Sequence, residues 1–219
     1  VYTGFGKINS DKTISIKGEK EESKISGTNI IIATGARSRD IDSLPKDDEK
    51  IIGYRKAMVL EKQPKEMIIV GSGAIGVEFA YFYNSMGTKV TLVEYEKNIA
   101  PIEDKDISKE LSKILKKSGI QILNSSKVVD SKIIGDKVEV TIESNNKKSI
   151  LNGDVVLSAV GIKSNIENIG LEEIGIEVEN DKIKVDEFYS TNIENIYAIG
   201  DIVDGPALAH VASAEGITC

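Results

Sequence analysis

Met67-Ile68-Ile69-Val70-Gly71-Ser72-Gly73-Ala74-Ile75-Gly76-Val77-Glu78 is the stretch that decides how this chain folds. Four consecutive apolar residues make a strand-sized run, and Gly-X-Gly-X-X-Gly follows at once. From Ile75 to Met86 the apolar residues recur at helical spacing and stop at Gly87. In a strand that turns on such glycines into a helix, the first glycine permits the tight turn. The second lets a pyrophosphate approach the backbone, and the third lets helix and strand pack closely. The amides at the helix start, at its positive end, then face the phosphates. Glycine-rich turns also serve geometry alone, so the motif needs support from what surrounds it.

That support lies downstream. Val90-Thr91-Leu92-Val93-Glu94 reads as a second strand ending in an acid, eighteen residues past Gly76, where a carboxylate can accept both hydroxyls of an adenosine ribose. Glu94 and Glu96 would repel a 2′-phosphate and no arginine follows to receive one, which favours NAD over NADP. Asp104 to Ser118 carries helix signals at both ends and sets Ile107, Leu111, Ile114 and Leu115 on one face; Ile120 to Leu123 supplies a third strand. Strands alternating with helices imply a parallel sheet with right-handed crossovers. The alternation then breaks. Lys127–Ile134, Lys137–Glu143 and Lys147–Leu151, joined at Gly135-Asp136 and Asn145-Asn146, predict an antiparallel three-stranded meander. Asp154 to Val160 returns to a buried strand ending at Gly161. Short strands are expected near Ile176 and Ile183, a strand over Asn195 to Ile199 leads into Gly200-Asp201, and Ala207 to Ile217 reads as a last helix.

Upstream, Tyr2–Ile8, Lys12–Lys17 and Lys24–Thr34 read as extended segments. Asn29 to Gly35 is a β-branched run ending in glycine, which suits a strand buried on both faces. Arg37 to Lys50 is a polar connector, and Tyr54 to Lys62 a short helix closed by Pro64.

Composition narrows the function. The 219 residues carry 28 basic and 35 acidic side chains, a net charge of −7, with no basic run longer than a pair, so no nucleic-acid partner is expected. The longest apolar runs are strand-sized and no signal-peptide pattern precedes them, so no membrane association is expected either. The single cysteine, Cys219, allows no intrachain disulfide and no Cys-X-X-Cys pair. The single histidine, His210, leaves little room for a multi-histidine metal site, so no metal site is assigned, and offers only one candidate for a Ser-His-acid triad. The chain opens at Val1 and closes straight after a helical stretch, as expected of a piece cut from a longer polypeptide.

Two further glycine turns follow apolar strands, Ala33-Thr34-Gly35-Ala36 and Ala198-Ile199-Gly200-Asp201. A strand ending Ala-Thr-Gly, an NAD fingerprint continuing Gly76-Val77-Glu78, and a strand ending Gly-Asp together resemble the flavoprotein pyridine nucleotide–disulfide oxidoreductases. Within that superfamily, Gly200-Asp201-Ile202-Val203-Asp204-Gly205-Pro206-Ala207-Leu208-Ala209-His210 is most similar to the flavin-contact segment of the dihydrolipoamide dehydrogenase family. Ser158-Ala159-Val160-Gly161 and Ala214-Glu215-Gly216-Ile217 also fit. The resemblance covers essentially the whole chain. Ile162-Lys163-Ser164-Asn165 departs from it, since many members carry an arginine and a proline there.

The resemblance implies an α/β fold: a Rossmann-like NAD-binding domain over 63–186, with parallel sheet and antiparallel meander, flanked by parts of an FAD-binding domain at 1–62 and 187–219. It places NAD on Gly71, Ser72, Gly73, Ala74, Ile75, Gly76, Val77, Glu78, Glu94, Val128 beside the adenine, and Gly161. It places FAD on Gly6, Thr34, Gly35, Ala36, Asp201 toward the ribityl chain, and Ala207, Leu208, Ala209 and His210 at a helix start. The implied reaction oxidises protein-bound dihydrolipoyl groups through a cysteine disulfide and FAD, with NAD as hydride acceptor. The implied partners are the lipoyl domains of a 2-oxo-acid dehydrogenase complex, with a homodimer for the full-length enzyme, in the cytoplasm or the mitochondrial matrix. Neither the redox Cys-X-X-X-X-Cys nor the family's His-Glu pair has a counterpart in these residues, so this middle portion is expected to be inactive alone. Two alternatives stay open: another FAD/NAD disulfide reductase or NADH oxidase-like flavoprotein, and a non-catalytic NAD-binding module.

Overall fold

The computed structural model describes residues 1–219, which form two compact units, Ser38–Ile162 and Val1–Arg37 with Lys163–Cys219. The divisions fall at 37/38 and 162/163, against the 62/63 and 186/187 boundaries expected from sequence. Pairing across the chain explains the shift. Ile51–Ile52 pairs in parallel with Val155–Ser158, which draws the connector into the larger unit. Ile169, Leu171, Ile176 and Ile183 share a core with Ile8, Ile30 and Ile32, which draws 163–186 into the smaller one.

In the larger unit five parallel strands lie in the order Ile51–Ile52, Val155–Ser158, Glu66–Val70, Lys89–Val93, Gln121–Leu123. The register pairs Ser158 with Val70 and Val70 with Val93, so the carboxyl ends of the central strands are level. These strands are apolar at nearly every position because both faces are covered. Met67, Ile69, Leu92 and Leu157 pack with Ala80, Tyr83 and Leu115 of the helices Ala74–Ser85 and Lys105–Lys117. Ile68, Val70, Val93 and Val156 pack against Val138, Val140 and Ile142 of the meander. Emptying one of these sites, as in Leu92→Ala, costs about 2–5 kcal/mol. The meander comprises Lys127–Ile134, Lys137–Ser144 and Lys147–Gly153. Its second turn has Asn145 and Asn146 at φ of 50° and 59°, the left-handed pair that matches strand twist.

The helix Lys105–Lys117 starts as predicted, with the Asp104 carboxylate accepting from the Asp106 N–H at 2.8 Å, and ends before Gly119 at φ 97°. Its buried face differs from expectation. Ser108 and Leu115 are buried and Leu111 partly so, whereas Ile107 and Ile114 are exposed, one position off the stripe that meets the sheet. The helix expected over Tyr54–Lys62 is a single turn, Tyr54–Ala57. The chain beyond it is held against the next helix: Gln63 Nε2 donates to the Met86 carbonyl at 2.6 Å, and Thr88 Oγ1 to the Pro64 carbonyl at 2.8 Å.

The smaller unit holds an antiparallel meander of Phe5–Ile8, Thr13–Lys17 and Glu22–Ser26, a parallel pair of Ile30–Ile32 with Ile196–Ala198, and the helix Ala209–Thr218. The extended run expected over Lys24–Thr34 is thus two strands. Nor is the second buried on both faces: Ile30 and Ile32 are buried, but Ile31 is 51% exposed because only two strands pair here and one face lacks a layer. The last helix begins at Ala209, not Ala207, since Leu208 is still extended and its N–H donates to the Pro206 carbonyl at 2.8 Å. No helix of the chain is long and apolar enough to cross a membrane.

Candidate functional site

Within the larger unit, chain order reverses between the strands Glu66–Val70 and Val155–Ser158, and the carboxyl edge at such a switch is where open α/β sheets take ligands. Gly71 stands there at φ 97°, its N–H donating to the Val93 carbonyl at 2.9 Å. A Cβ on Gly71 would sit 2.3 Å from the Ala159 carbonyl oxygen, and one on Gly76 only 1.9 Å from the Gly71 carbonyl oxygen. The chain's own packing therefore demands the first and third glycines. Gly73 is different. Its φ is −65°, open to any residue, and a Cβ there meets nothing within 4 Å. It is also the N-cap of the twelve-residue helix Ala74–Ser85 and offers no capping side chain, leaving the first-turn amides to an outside acceptor. A pyrophosphate fits this cradle, since it needs both the open space and the amides.

Glu94 lies beside that turn, just beyond its strand, and is only 6% exposed. Its Oε2 accepts from the Ser72 N–H at 2.8 Å and the Ser72 hydroxyl at 2.5 Å, while Oε1 accepts from the Glu96 N–H at 2.7 Å. Each carboxylate oxygen has two lone pairs, so about one acceptor direction of four remains, on Oε1. That leaves Glu94 room for about one further hydrogen bond, where the sequence-based expectation has it accept from both ribose hydroxyls. Ser72 is fully buried, its N–H and hydroxyl both end on Glu94, and its carbonyl accepts from the Ala100 N–H at 2.8 Å.

The other expected nucleotide residues spread along the same edge. Ala74 and Glu78 are exposed on the helix, while Ile75 and Val77 are partly buried against the core. Val128 is buried in the core beneath the meander, so its side chain has little surface for an adenine. Gly161 is exposed at φ 104°. The sequence reading missed its neighbour Arg39: the Arg39 N–H donates to the Gly161 carbonyl at 3.0 Å and Nη2 to the Ile162 carbonyl at 3.1 Å. A cation thus stands by the loop that lacks the usual arginine, supplied from more than a hundred residues upstream, a separation no local motif reveals.

In the smaller unit, Gly35 turns the chain at φ 65° with nothing within 4 Å of a would-be Cβ, and Thr34 is exposed. Asn165 braces this turn, its Nδ2 donating to the Thr34 carbonyl at 3.0 Å and its N–H to the Gly35 carbonyl at 2.8 Å. Arg37 Nη1 donates to Asn165 Oδ1 at 2.8 Å and pairs with Glu167, whose carboxyl is held down at about 2 by the Arg37 guanidinium and then by Lys163. Ala36 is buried, so only its backbone can meet a ligand. Asp201 is partly exposed in the 3₁₀ turn Gly200–Ile202, with its carbonyl taken by Lys182 Nζ and Ser164 Oγ and its carboxylate turned to neither. Buried Glu215 secures that turn by accepting the Gly200 N–H at 2.6 Å, a role its place in the Ala-Glu-Gly motif did not disclose. Ala207, Leu208, Ala209 and His210 are all exposed at a helix start with no side-chain cap, and Gly6 is exposed on the first strand. An open glycine turn, a partly free carboxylate and an uncapped helix start suit a phosphate-bearing polyol such as the flavin dinucleotide chain.

Comparison with known proteins places the chain in a family. The family model described as pyridine nucleotide-disulphide oxidoreductase matches residues 2–216. A dihydrolipoyl dehydrogenase from Rhizobium etli is 41% identical over 93% of this chain and 42% of its own length; one from Bacillus subtilis is 39% identical over 99% and 48%. The crystal structure of LpdA from Mycobacterium tuberculosis superposes with a TM-score of 0.86 at 27% identity, over 100% of this chain and 47% of that one. The HOCl-induced flavoprotein disulfide reductase RclA from Escherichia coli gives 0.85 at 27%, over 98% and 48%. The chain thus spans about half the length of the relatives it matches, and it belongs to the pyridine nucleotide–disulphide oxidoreductase family.

Proposed function

We propose that this chain is the pyridine-nucleotide-binding portion of a dihydrolipoyl dehydrogenase, with Gly71 to Glu78, Glu94 and Gly161 on NAD and with Thr34 to Ala36, Asp201 and Ala207 to His210 on FAD. The observation that carries the reading is the open, uncapped Gly73 turn beside the buried carboxylate of Glu94. The first-turn amides bind the pyrophosphate, and Glu94 Oε1 accepts one ribose hydroxyl. Gly71 and Gly76 let strand and helix close to the distance at which both can act on one ligand. In the smaller unit Asp201 accepts from ribityl hydroxyls, and the start of the helix Ala209–Thr218 stabilises negative charge. The flavin and nicotinamide, when bound, supply the hydride chemistry. Lone Cys219 cannot provide a redox dithiol, so the residues that take electrons from a dihydrolipoyl group are not among these 219.

On this reading the whole enzyme is a homodimer that meets lipoyl domains of a 2-oxo-acid dehydrogenase complex, in the cytoplasm or the mitochondrial matrix. Relatives from Pisum sativum and Schizosaccharomyces pombe carry the description mitochondrial. The near-equal likeness to RclA supports a second reading, another flavoprotein disulfide reductase. Calorimetric titration with NADH and NADPH tests the site: NADH should bind and NADPH bind more weakly, with no lipoamide turnover by this polypeptide. Absence of NADH binding, or lipoamide turnover by the chain alone, sinks the reading.

A further inference from the structure

We propose that Ser72 is a positioning residue that locks the Glu94 carboxylate, and that this lock sets the preference for a ribose with a free 2′-hydroxyl over one bearing a 2′-phosphate. The inference rests on the reading that the Gly71 turn and Glu94 take the adenosine half of a pyridine nucleotide. Ser72 occupies a variable position of the Gly-X-Gly-X-X-Gly pattern, where the turn itself asks only for backbone. Its side chain is nonetheless fully buried and commits its one donor to Glu94 Oε2 at 2.5 Å, alongside its own N–H at 2.8 Å. With the Glu96 N–H on Oε1 at 2.7 Å, three donors hold the two oxygens. The carboxylate plane cannot swing without breaking a charge-assisted hydrogen bond.

Two consequences follow. The remaining acceptor direction of Oε1 is aimed in advance, so a ribose hydroxyl meets a carboxylate that pays no ordering entropy on binding. A 2′-phosphate meets the same charge with no way for it to turn aside, and like charges in a partly desolvated site repel strongly. Ser72→Ala removes the hydroxyl but keeps the N–H, and leaves Oε2 with a single donor. NADH affinity should then fall roughly five- to tenfold, a part of what one charge-assisted hydrogen bond is worth. NADPH affinity should stay within about twofold, because weaker positioning is offset by relief of repulsion. Discrimination narrows accordingly.

The test is a double-mutant cycle on the 219-residue polypeptide: wild type, Ser72→Ala, Glu94→Gln and the double variant, each titrated calorimetrically with NADH and NADPH and each melted without ligand. The expected result is a narrowed NADH-to-NADPH ratio in Ser72→Ala and no further narrowing when Ser72→Ala is added to Glu94→Gln. A merely structural serine would weaken both nucleotides alike and leave the ratio unchanged, which overturns the proposal. So does a Ser72→Ala effect that adds in full to that of Glu94→Gln. If wild-type protein binds neither nucleotide, the site assignment itself fails and the role of Ser72 falls with it; NADH binding with an unchanged ratio sinks the role of Ser72 alone.

Discussion

Gly73→Ala should separate binding from folding, because the three glycines of the turn are present for different reasons. Position 73 has φ −65° and nothing within 4 Å of a new methyl, so alanine fits the backbone and the space. The stability cost is at most about 1 kcal/mol, from the weaker N-cap preference of alanine. The methyl, however, occupies the space through which a pyrophosphate reaches the first-turn amides. Pushing the phosphate out by about a bond length weakens one or two charge-assisted hydrogen bonds worth about 1.5–3 kcal/mol each, so NADH affinity should drop roughly tenfold to a hundredfold. Gly76→Ala is the counterpart. Its Cβ would lie 1.9 Å from the Gly71 carbonyl oxygen, against an ordinary contact of 3.4–4 Å. Relieving that overlap costs about 1–3 kcal/mol, only partly offset by the roughly 1 kcal/mol that alanine gains over glycine in a helix. Gly76→Ala should therefore lower both stability and affinity, where Gly73→Ala acts mainly on affinity. Urea denaturation with calorimetric NADH titration reads both quantities. Wild-type NADH affinity in Gly73→Ala would refute the placement of the pyrophosphate on this turn.

Glu215→Ala should destabilise by about 1–3 kcal/mol in urea, since the Gly200 N–H then loses its acceptor, while Glu215→Gln, which keeps a carbonyl there, should cost less. Ser158→Ala should raise stability by up to about 1 kcal/mol, because the Ser158 hydroxyl is buried with no protein partner; a loss of stability would show that the hydroxyl is satisfied. Glu167→Gln should lower the melting temperature at pH 7 and converge on wild type toward pH 2. Its folded pKa is depressed to about 2, so its contribution is present above the ordinary glutamate value near 4.3 and is lost as pH falls through the folded one. A gap independent of pH would mean that Arg37 and Lys163 do not act on its charge.

Much of the larger unit was legible in the residues. Both faces of its strands are covered, so Met67–Val70 shows as an unbroken apolar run and Val90–Val93 as one interrupted only by Thr91, and the glycines and the asparagine pair mark turns whose φ angles few other residues accept. The smaller unit was less legible, because its parallel pair is only two strands wide and Ile31 faces outward despite a sequence that reads as fully buried. On Lys105–Lys117 the expected stripe holds at Leu111 and Leu115 but fails at Ile107 and Ile114, which are exposed. Periodicity fixes the spacing of a stripe, while the crossing of the helix over the sheet selects which residues lie under it.

For the site, sequence alone determined which residue types the proposed chemistry calls for: glycines at the turn, an acid at the end of the next strand, and too few cysteines for a dithiol. Each of these is a local requirement on the backbone or on charge, and local requirements leave local patterns. The tertiary structure decided what each group has left to offer. Glu94 keeps about one free acceptor because Ser72 and Glu96 hold the rest, Arg39 reaches the Gly161 loop from far upstream, and Glu215 braces the Gly200 turn. Hydrogen-bond occupancy depends on which groups folding brings within about 3 Å, and that distance has no trace in the order of residues along the chain.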